Sequence, residues 1–213
     1  SKWATELKIK VEEPTPERVQ ELKKLVFDNA HQLKHVYLAG GEPLLMKENL
    51  ELLEILQEKN PLVNIRVNTN LSKTGTRVFE KICEFKNVHW IISLDEIEEE
   101  FEYIRYGGDW QDFLDNLNII KKLEHKVSFN MLHHLLNFRS IFKCISFLKE
   151  LGFHNNSFIM GALIKPDYLN IRHLPDSMLQ LVKSDINDWL DKKPKFLLED
   201  GLKNMLQYIN SPI

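Results

Sequence analysis

Residues suited to ligand binding follow the first apolar, strand-like segment of this sequence, "HVYLA". That segment runs directly into Gly40, Gly41, Glu42 and Pro43. A glycine pair permits positive φ angles and lets a ligand approach the backbone with no Cβ in the way. Proline then fixes the exit of the loop and removes one backbone donor. The open amides and carbonyls could bind an amino-acid-like ligand, and the alternative is a tight turn that binds nothing.

Polar residues also end the next three strand-like segments. "VNIRVNTN" ends in Asn68-Thr69-Asn70, "VHWIISLD" ends in Ser93-Leu94-Asp95, and "KVSFNML" carries Asn130. Four polar ends in succession predict the lining of one polar ligand site. The candidate binding residues are Gly40, Gly41, Glu42, Pro43, Asn70, Ser93, Asp95 and Asn130. The loop lacks G-x-G-x-x-G spacing and no Gly-Lys-Ser/Thr follows, which disfavours a nucleotide phosphate site.

The elements that must position these residues alternate between helix and strand. A helix is expected over residues 14–30, with Thr15 as its cap, Pro16 in its first turn, and a packing stripe of Val19, Leu22, Leu25 and Val26. Further helices are expected over residues 49–58, 75–85, 109–123, 140–151, 176–190 and 197–209, the third of these with Asp109 as its cap. A last strand is expected at "SFIMGAL". Short strands that are apolar on both faces predict an α/β fold with a parallel sheet. Both a closed or partial barrel and a doubly wound sheet fit this pattern, and each places function at the carboxyl ends of the strands.

Composition limits the class of protein. The 213 residues suit one domain, and the net charge of −3 argues against indiscriminate nucleic-acid binding. No apolar run approaches the ~20 residues of a membrane span. Cys83 and Cys144 form no close pair and lie on apolar helical stripes, so they predict buried free thiols of a reducing, cytoplasmic compartment and no metal site.

An ordered set of motifs resembles the radical S-adenosylmethionine (SAM) superfamily. "YLAGGEPLL" resembles its GGEP signature, and "NTNLS" and "SLDEIEEEFEYIRYGGDWQDFLDNLNIIKKL" resemble the next two units of the branch that carries SPASM or twitch extensions. The matching positions of the last unit are Ser93, Asp95, Ile104, Arg105, Gly107 or Gly108, Trp110, Asn116 and Leu117. "VSFNMLHHLLNF" is similar to the following barrel strand, in which Asn130 fits the family's asparagine. The resemblance covers residues 3–174.

The resemblance implies a partial (β/α)6 barrel over residues 1–174, without its first strand and cluster loop, followed by a C-terminal helical segment over residues 175–213 that leads toward a truncated twitch or SPASM extension. In such enzymes a [4Fe–4S] cluster, fed by an external electron donor, cleaves SAM to a 5′-deoxyadenosyl radical. The radical abstracts hydrogen from a substrate, here expected to be a peptide, a protein or another bulky molecule.

The resemblance also implies roles for the residues at the strand ends. The backbone of residues 40–43 would bond the methionine amino group of SAM. Ser93 and Asp95 would lie near the ribose or the methionyl carboxylate, and Asn70 and Asn130 would line the same site.

The sequence departs from the family at two places. The family holds its cluster with CxxxCxxC, and the two cysteines of this chain cannot supply three ligands. Because family members often continue through a "SSKW"-like segment and this chain begins "SKWATEL", we expect a fragment that starts downstream of that motif and is inactive by itself. Glu96 stands where the branch has glycine. Because no cysteine follows Cys144, a twitch or SPASM extension would be cut off or would lack its cluster.

Two other functions remain open at this point. One is a degenerate, non-catalytic barrel that binds a peptide or a metabolite. The other is an unrelated α/β enzyme that acts on a phosphorylated substrate, for which the last strand offers only Gly161 and Lys165.

Three smaller features have mainly structural interpretations. His133 and His134 are adjacent and point to opposite faces of a strand, which disfavours a shared metal ion. Arg105 could equally bind the carboxylate of a ligand or form ion pairs with the surrounding glutamates. The acidic run over residues 95–102 reads best as a solvated helix face.

Overall fold

A computed structural model describes residues 15–211 of the chain. The strands are β1 (His35–Leu38), β2 (Asn64–Thr69), β3 (Val88–Ser93), β4 (Lys126–His133) and β5 (Phe158–Ala162). The helices of this part are α1 (Pro16–Asp28), α2 (Lys47–Lys59), α3 (Arg77–Cys83), α4 (Glu98–Ile104), α5 (Trp110–Lys121), α6 (Ile141–Glu150), α7 (Asp176–Asp191) and α8 (Leu197–Asn210). None of them is long and apolar enough to cross a membrane.

The five strands form one parallel sheet in the order β1-β2-β3-β4-β5. Each strand therefore pairs with the next strand of the chain, which is how a (β/α) barrel winds. A doubly wound sheet would instead reverse its strand order at a switch point. The predicted α/β partial barrel is confirmed, and the doubly wound alternative does not apply to the described residues.

One face of the sheet is covered by helices and forms the core. Ile65, Val67, Trp90 and Ile92 are all buried on this face. The ring of Trp90 lies 5.5 Å from that of Phe79 on α3, and its Nε1 donates to His125. We call this the helix-covered face.

The other face is not covered to the same extent, and the expectation of strands that are apolar on both faces is wrong there. Burial alternates along β2 and β3, so that Arg66, Asn68, His89 and Ser93 are exposed or half-buried between fully buried neighbours. The residues of this open face are His35, Tyr37, Asn64, Arg66, Asn68, His89, Ile91, Ser93, Lys126, Ser128, Asn130, Leu132, Ile159 and Gly161. Parallel sheets are normally buried on both sides, whereas most residues of this open face are polar and only Ser128 is fully buried.

The helix starts follow the predicted capping chemistry. Thr15 Oγ1 accepts from the Arg18 amide at 3.3 Å, and Asp109 Oδ1 accepts from the Asp112 amide at 2.8 Å. These bonds satisfy amide groups that have no partner inside the first turn of a helix. Helix α4 was not among the helices expected with stated bounds, but its exposed Glu98–Glu100 start agrees with the solvated helix face expected for residues 95–102.

The predicted packing stripe of α1 is wrong for the described part of the chain. Val19, Leu22, Leu25 and Val26 are all substantially exposed, and α1 has no buried residue. The helix touches α2 through polar contacts, such as the ion pair of Lys23 with Glu51. A stripe at helical spacing shows which side of a helix is apolar, but not that another described element lies against it.

The C-terminal helix α8 packs directly on the last strand of the sheet. A Cβ built on Gly201 of α8 would lie 2.8 Å from Cβ of Met160 on β5. Leu198, Leu202 and Met205 of α8 are buried in the same core. The predicted C-terminal helices are therefore present and cover the β5 end of the sheet.

Candidate functional site at the carboxyl ends of the strands

The glycine loop after β1 presents open backbone at the carboxyl end of the sheet. Gly40 has φ +92° and Gly41 has φ +49°, both in the region that favours glycine. A Cβ built on either residue meets no atom within 4 Å. The backbone here is thus held in a conformation that keeps its peptide groups accessible, and no side chain fills the space in front of them.

Glu42 fixes this loop to the neighbouring strand. Its Oε1 accepts from Thr69 Oγ1 at 2.6 Å and from the Leu44 amide at 3.3 Å, while its Oε2 accepts from the Asn70 amide at 2.9 Å. Pro43 follows and begins a short 3-10 turn over Pro43–Leu45. The carboxylate of Glu42 therefore joins the end of β1 to the end of β2, and it holds the glycine pair in place.

A short polar row crosses the open face next to this loop. Ser93 and Asn130 are register partners on β3 and β4. Ser93 Oγ donates to Asn68 Oδ1 on β2 at 3.4 Å. The row of Asn68, Ser93 and Asn130 thus spans three strands, in the carboxyl-terminal half of each. The side chain of Asn130 makes no hydrogen bond to another described residue, so its amide can bind a ligand.

The sequence interpretation selected Asn70 rather than Asn68. Asn70 lies beyond the end of β2, where its Oδ1 accepts from the Ser72 amide at 2.9 Å. It lines a separate cleft of about 440 Å³ together with Lys73, Arg105 and Asp109. The alternation in "VNIRVNTN" could have identified Asn68. Side chains two residues apart on a strand lie on the same face, so Asn68 lies on the face of the exposed Arg66 and Thr69 lies on the face of the buried Val67.

Asp95 is part of a hydrogen-bonded connection between β3 and β4. Its Oδ1 accepts from the Leu132 amide at 2.7 Å, and its Oδ2 accepts from Arg105 Nη2 at 3.3 Å. Arg105 also donates to the Ser93 carbonyl at 2.8 Å. Asn137 Nδ2 donates to the carbonyls of Asp95 and Leu132. Among the described residues Arg105 pairs with Asp95, and not with the glutamates that surround it in sequence.

Glu96, which follows Asp95, has a buried carboxyl group. Ser140 Oγ donates to one of its oxygens, and the other oxygen has no partner among the described residues. Burial is the main reason that the pKa of Glu96 is raised to about 7. Its φ is not positive, so the backbone at this position does not require the glycine of the resembled branch.

The two cysteines lie on different helices and form no pair. Cys144 is buried on α6 and Cys83 is half-buried at the end of α3. Burial raises the pKa of Cys83 to about 11 and that of Cys144 well above its ordinary value. Iron–sulfur clusters need several thiolate ligands, and within residues 15–211 no group of three His, Cys, Asp or Glu could hold a metal ion. The residues of this chain therefore do not fit a [4Fe–4S] cluster.

The two adjacent histidines have structural partners. The imidazole of His133 is buried and its Nε2 lies 2.9 Å from the Phe138 carbonyl. His134 Nδ1 accepts from the Leu136 amide at 3.2 Å and caps a short 3-10 turn. The two imidazoles thus have separate partners within the protein, and both side chains are buried.

Comparison with solved structures gives the same architecture. The chain is similar to Streptococcus suis SuiB bound to S-adenosylmethionine, with 14% identity and a TM-score of 0.59 over 86% of this chain and 43% of that one. It is similar to anSMEcpe bound to AdoMet and the Cp18Cys peptide, with 16% identity and a TM-score of 0.59 over 84% of this chain and 53% of that one. TYW1 with a lysine-pyruvate adduct matches with 21% identity and a TM-score of 0.51 over 91% of this chain and 70% of that one. These likenesses establish the fold, and the chain spans about half the length of the SuiB and anSMEcpe chains.

Sequence comparison identifies the family. No curated protein sequence matches the chain significantly. The family model described as the Radical SAM superfamily matches residues 3–148, which is more than half of the chain. The open glycine loop and the polar row lie within this matched region. The chain belongs to the radical SAM superfamily.

Proposed function

We propose that this chain forms the SAM-binding part of a radical SAM enzyme that acts on a peptide or protein. The observation that carries the proposal is the combination of an open glycine loop with the polar row of Asn68, Ser93 and Asn130 at one edge of the sheet. Backbone groups of Gly40 and Gly41 would bind the amino-acid end of SAM. Family membership and the SAM-bound neighbours support this assignment.

The individual residues would have different roles in this site. Asn130 and Ser93 would bind SAM directly, because their side chains face the space above the sheet. Glu42 and Asp95 would act mainly as positioning residues, since their carboxylates already accept hydrogen bonds from the protein. Asn70 would contribute from the adjacent cleft.

A peptide or protein substrate is supported by the neighbours and by the shape of the sheet. One solved SuiB structure contains its precursor peptide SuiA, and the anSMEcpe structure contains a peptide. In this chain the open face offers a broad, half-exposed surface beside the proposed SAM site. A bulky substrate could approach over that surface without entering a closed barrel.

In the family a [4Fe–4S] cluster, reduced by an external donor, supplies the electron that cleaves SAM. This chain offers no set of thiolates for the cluster, so we propose that residues 1–213 bind SAM but do not cleave it. The same observation favours a second candidate, a barrel that binds a peptide or metabolite without radical chemistry. Iron and sulfide analysis of the natural protein, purified without oxygen, distinguishes these two candidates. Four irons per chain support the radical SAM enzyme, and an iron-free protein supports the barrel that only binds a peptide or metabolite.

Calorimetric titration of the chain with SAM tests the binding proposal. We expect saturable binding that weakens roughly tenfold in Asn130→Ala, because a hydrogen bond to a charged ligand is worth about 1.5–3 kcal/mol. Asn118→Ala on the exposed side of α5 is the matched control and should bind SAM like the parent. Absence of SAM binding by the folded chain, or equal weakening in both variants, would contradict the proposal.

A further inference from the structure

Four side chains stand side by side across the open face. Tyr37 is the register partner of Arg66, Arg66 is that of His89, and His89 is that of Lys126. Neighbouring strands are about 4.8 Å apart, so the row crosses four strands within about 15 Å. We call these four residues the basic row.

The charge of the basic row is not balanced on its own face. No residue of the open face is acidic. Neither Arg66 nor Lys126 forms an ion pair with another described residue, and both are exposed. The chain as a whole has a net charge of −3, so this concentration of positive charge is local.

His89 lies between Arg66 and Lys126 in this row. Its Nε2 lies 2.8 Å from the hydroxyl of Ser128, which is itself buried. Burial first, and then the cations of Lys126 and Arg66, lower the pKa of His89 to about 4. The imidazole is therefore neutral near pH 7, and its second nitrogen makes no hydrogen bond to a described residue.

A concavity lies beside the end of the row formed by Tyr37 and Arg66. It has a volume of about 410 Å³ and is lined by His35, Val36, Tyr37, Arg66 and Ile91. The phenol of Tyr37 is 58% exposed at its edge. Guanidinium, ammonium, phenol and imidazole groups can all donate to an oxyanion, and the planar fork of arginine suits carboxylate and phosphate equally.

We propose that the basic row is a second binding site, which holds an oxyanion, either a phosphate or a carboxylate, through Arg66 and Lys126 with Tyr37 and His89 beside them. Its ligand does not depend on SAM. On β2 the basic row is adjacent to the polar row, since Arg66 and Asn68 are two residues apart, whereas on β3 and β4 the two rows are four residues apart.

Nuclear magnetic resonance on the isotopically labelled 213-residue chain at pH 7 tests this site. Inorganic phosphate, acetate and chloride are added separately at equal ionic strength. We expect saturable shifts of the Arg66, His89 and Lys126 signals with phosphate, acetate or both, and none with chloride. Saturation by phosphate alone identifies a phosphate ligand, and saturation by acetate alone identifies a carboxylate.

Variants show whether the row itself binds. Arg66→Gln and Lys126→Gln should each weaken oxyanion binding roughly tenfold, since each removes a charge-assisted hydrogen bond. Arg77→Gln is the matched control, because its side chain is 80% exposed on α3, away from the open face. Equal shifts with chloride, an unchanged dissociation constant in both row variants, or an equal loss in Arg77→Gln would overturn the proposal.

Discussion

The two faces of the sheet use alternate residues of the same strands for different purposes. On β3, Val88, Trp90 and Ile92 are buried beneath helices. His89 and Ser93 of the same strand are half-buried on the open face. The buried set provides the apolar contacts that stabilise the fold. The open set carries both the polar row and the basic row. Substitutions on the first face should therefore change stability, and those on the second should change binding.

Trp90→Ala should give the largest loss on the helix-covered face. Trp90 is fully buried and packs against Phe79. Removal of a buried aromatic side chain costs about 3–5 kcal/mol of unfolding free energy. Ile91→Ala, one residue along on the open face, should cost about 1 kcal/mol, in proportion to the smaller apolar area that it buries. Urea unfolding of both variants measures the difference, and equal losses would contradict the assignment of the faces.

Glu96→Gln should change how stability depends on pH. The pKa of Glu96 rises from an ordinary 4.5 to about 7 in the folded chain, so the folded state favours the protonated acid. Its contribution to stability is complete below pH 4.5 and is lost as pH rises to about 7, by roughly 2–3 kcal/mol. The glutamine variant should lack this loss, and its unfolding free energy should exceed that of the parent at pH 8.

The control for that measurement is the exposed neighbour Glu100. Glu100→Gln should keep the pH dependence of the parent chain. Urea unfolding at a series of pH values from 5 to 8 compares the three proteins. The same pH dependence in parent and Glu96→Gln would show that the buried carboxyl group is not its source.

Gly40→Ala should strain the loop at the carboxyl end of β1. An alanine at φ +92° loses about 1–2 kcal/mol, although no atom blocks its methyl group. Gly75→Ala is the matched control, because Gly75 also has open space around it and has no positive φ. Thermal unfolding should show a loss only for Gly40→Ala, and an unchanged midpoint would show that this loop does not need glycine.

Gly201→Ala and Gly161→Ala compare the packing on the two faces of β5. Gly201 lies on α8 where this helix packs on β5, and Gly161 lies on the open face of β5. The new Cβ at residue 201 would lie 2.8 Å from Met160 Cβ, and the one at residue 161 would lie 3.6 Å from Leu132. Overpacking costs about 1–3 kcal/mol, partly offset by up to ~1 kcal/mol of helix propensity. We expect Gly201→Ala to lose about 1 kcal/mol in urea unfolding and Gly161→Ala to lose none. A loss of unfolding free energy in Gly161→Ala alone would contradict this expectation.

Local patterns in the sequence predicted most of the fold. Alternating and apolar segments predicted the five strands of the described part, and the caps at Thr15 and Asp109 predicted two helix starts. Helix α4 was expected only as a solvated acidic face without bounds, although Ile97, Phe101 and Ile104 have helical spacing. The exposed stripe of α1 was misjudged because periodicity does not identify the surface that a helix meets.

The candidate site was predictable in its location but less so in its chemistry. The sequence placed polar residues at the strand ends, since parallel strands share an edge. It could not show that Glu42 and Asp95 already bind groups within the protein, because those partners lie 27 and 37 residues away. Strand parity in "VNIRVNTN" could have indicated Asn68 in addition to Asn70.

The central claim is that SAM binds on the open face at the carboxyl ends of the strands. Titration of the isotopically labelled chain with SAM, followed through backbone and asparagine side-chain amide signals, tests it most directly. We expect saturable shifts at Gly40, Gly41, Asn68 and Asn130, and none at Asn118 on α5. Shifts confined to the helix-covered face, or no shifts at the glycine pair and the polar row, would contradict the account.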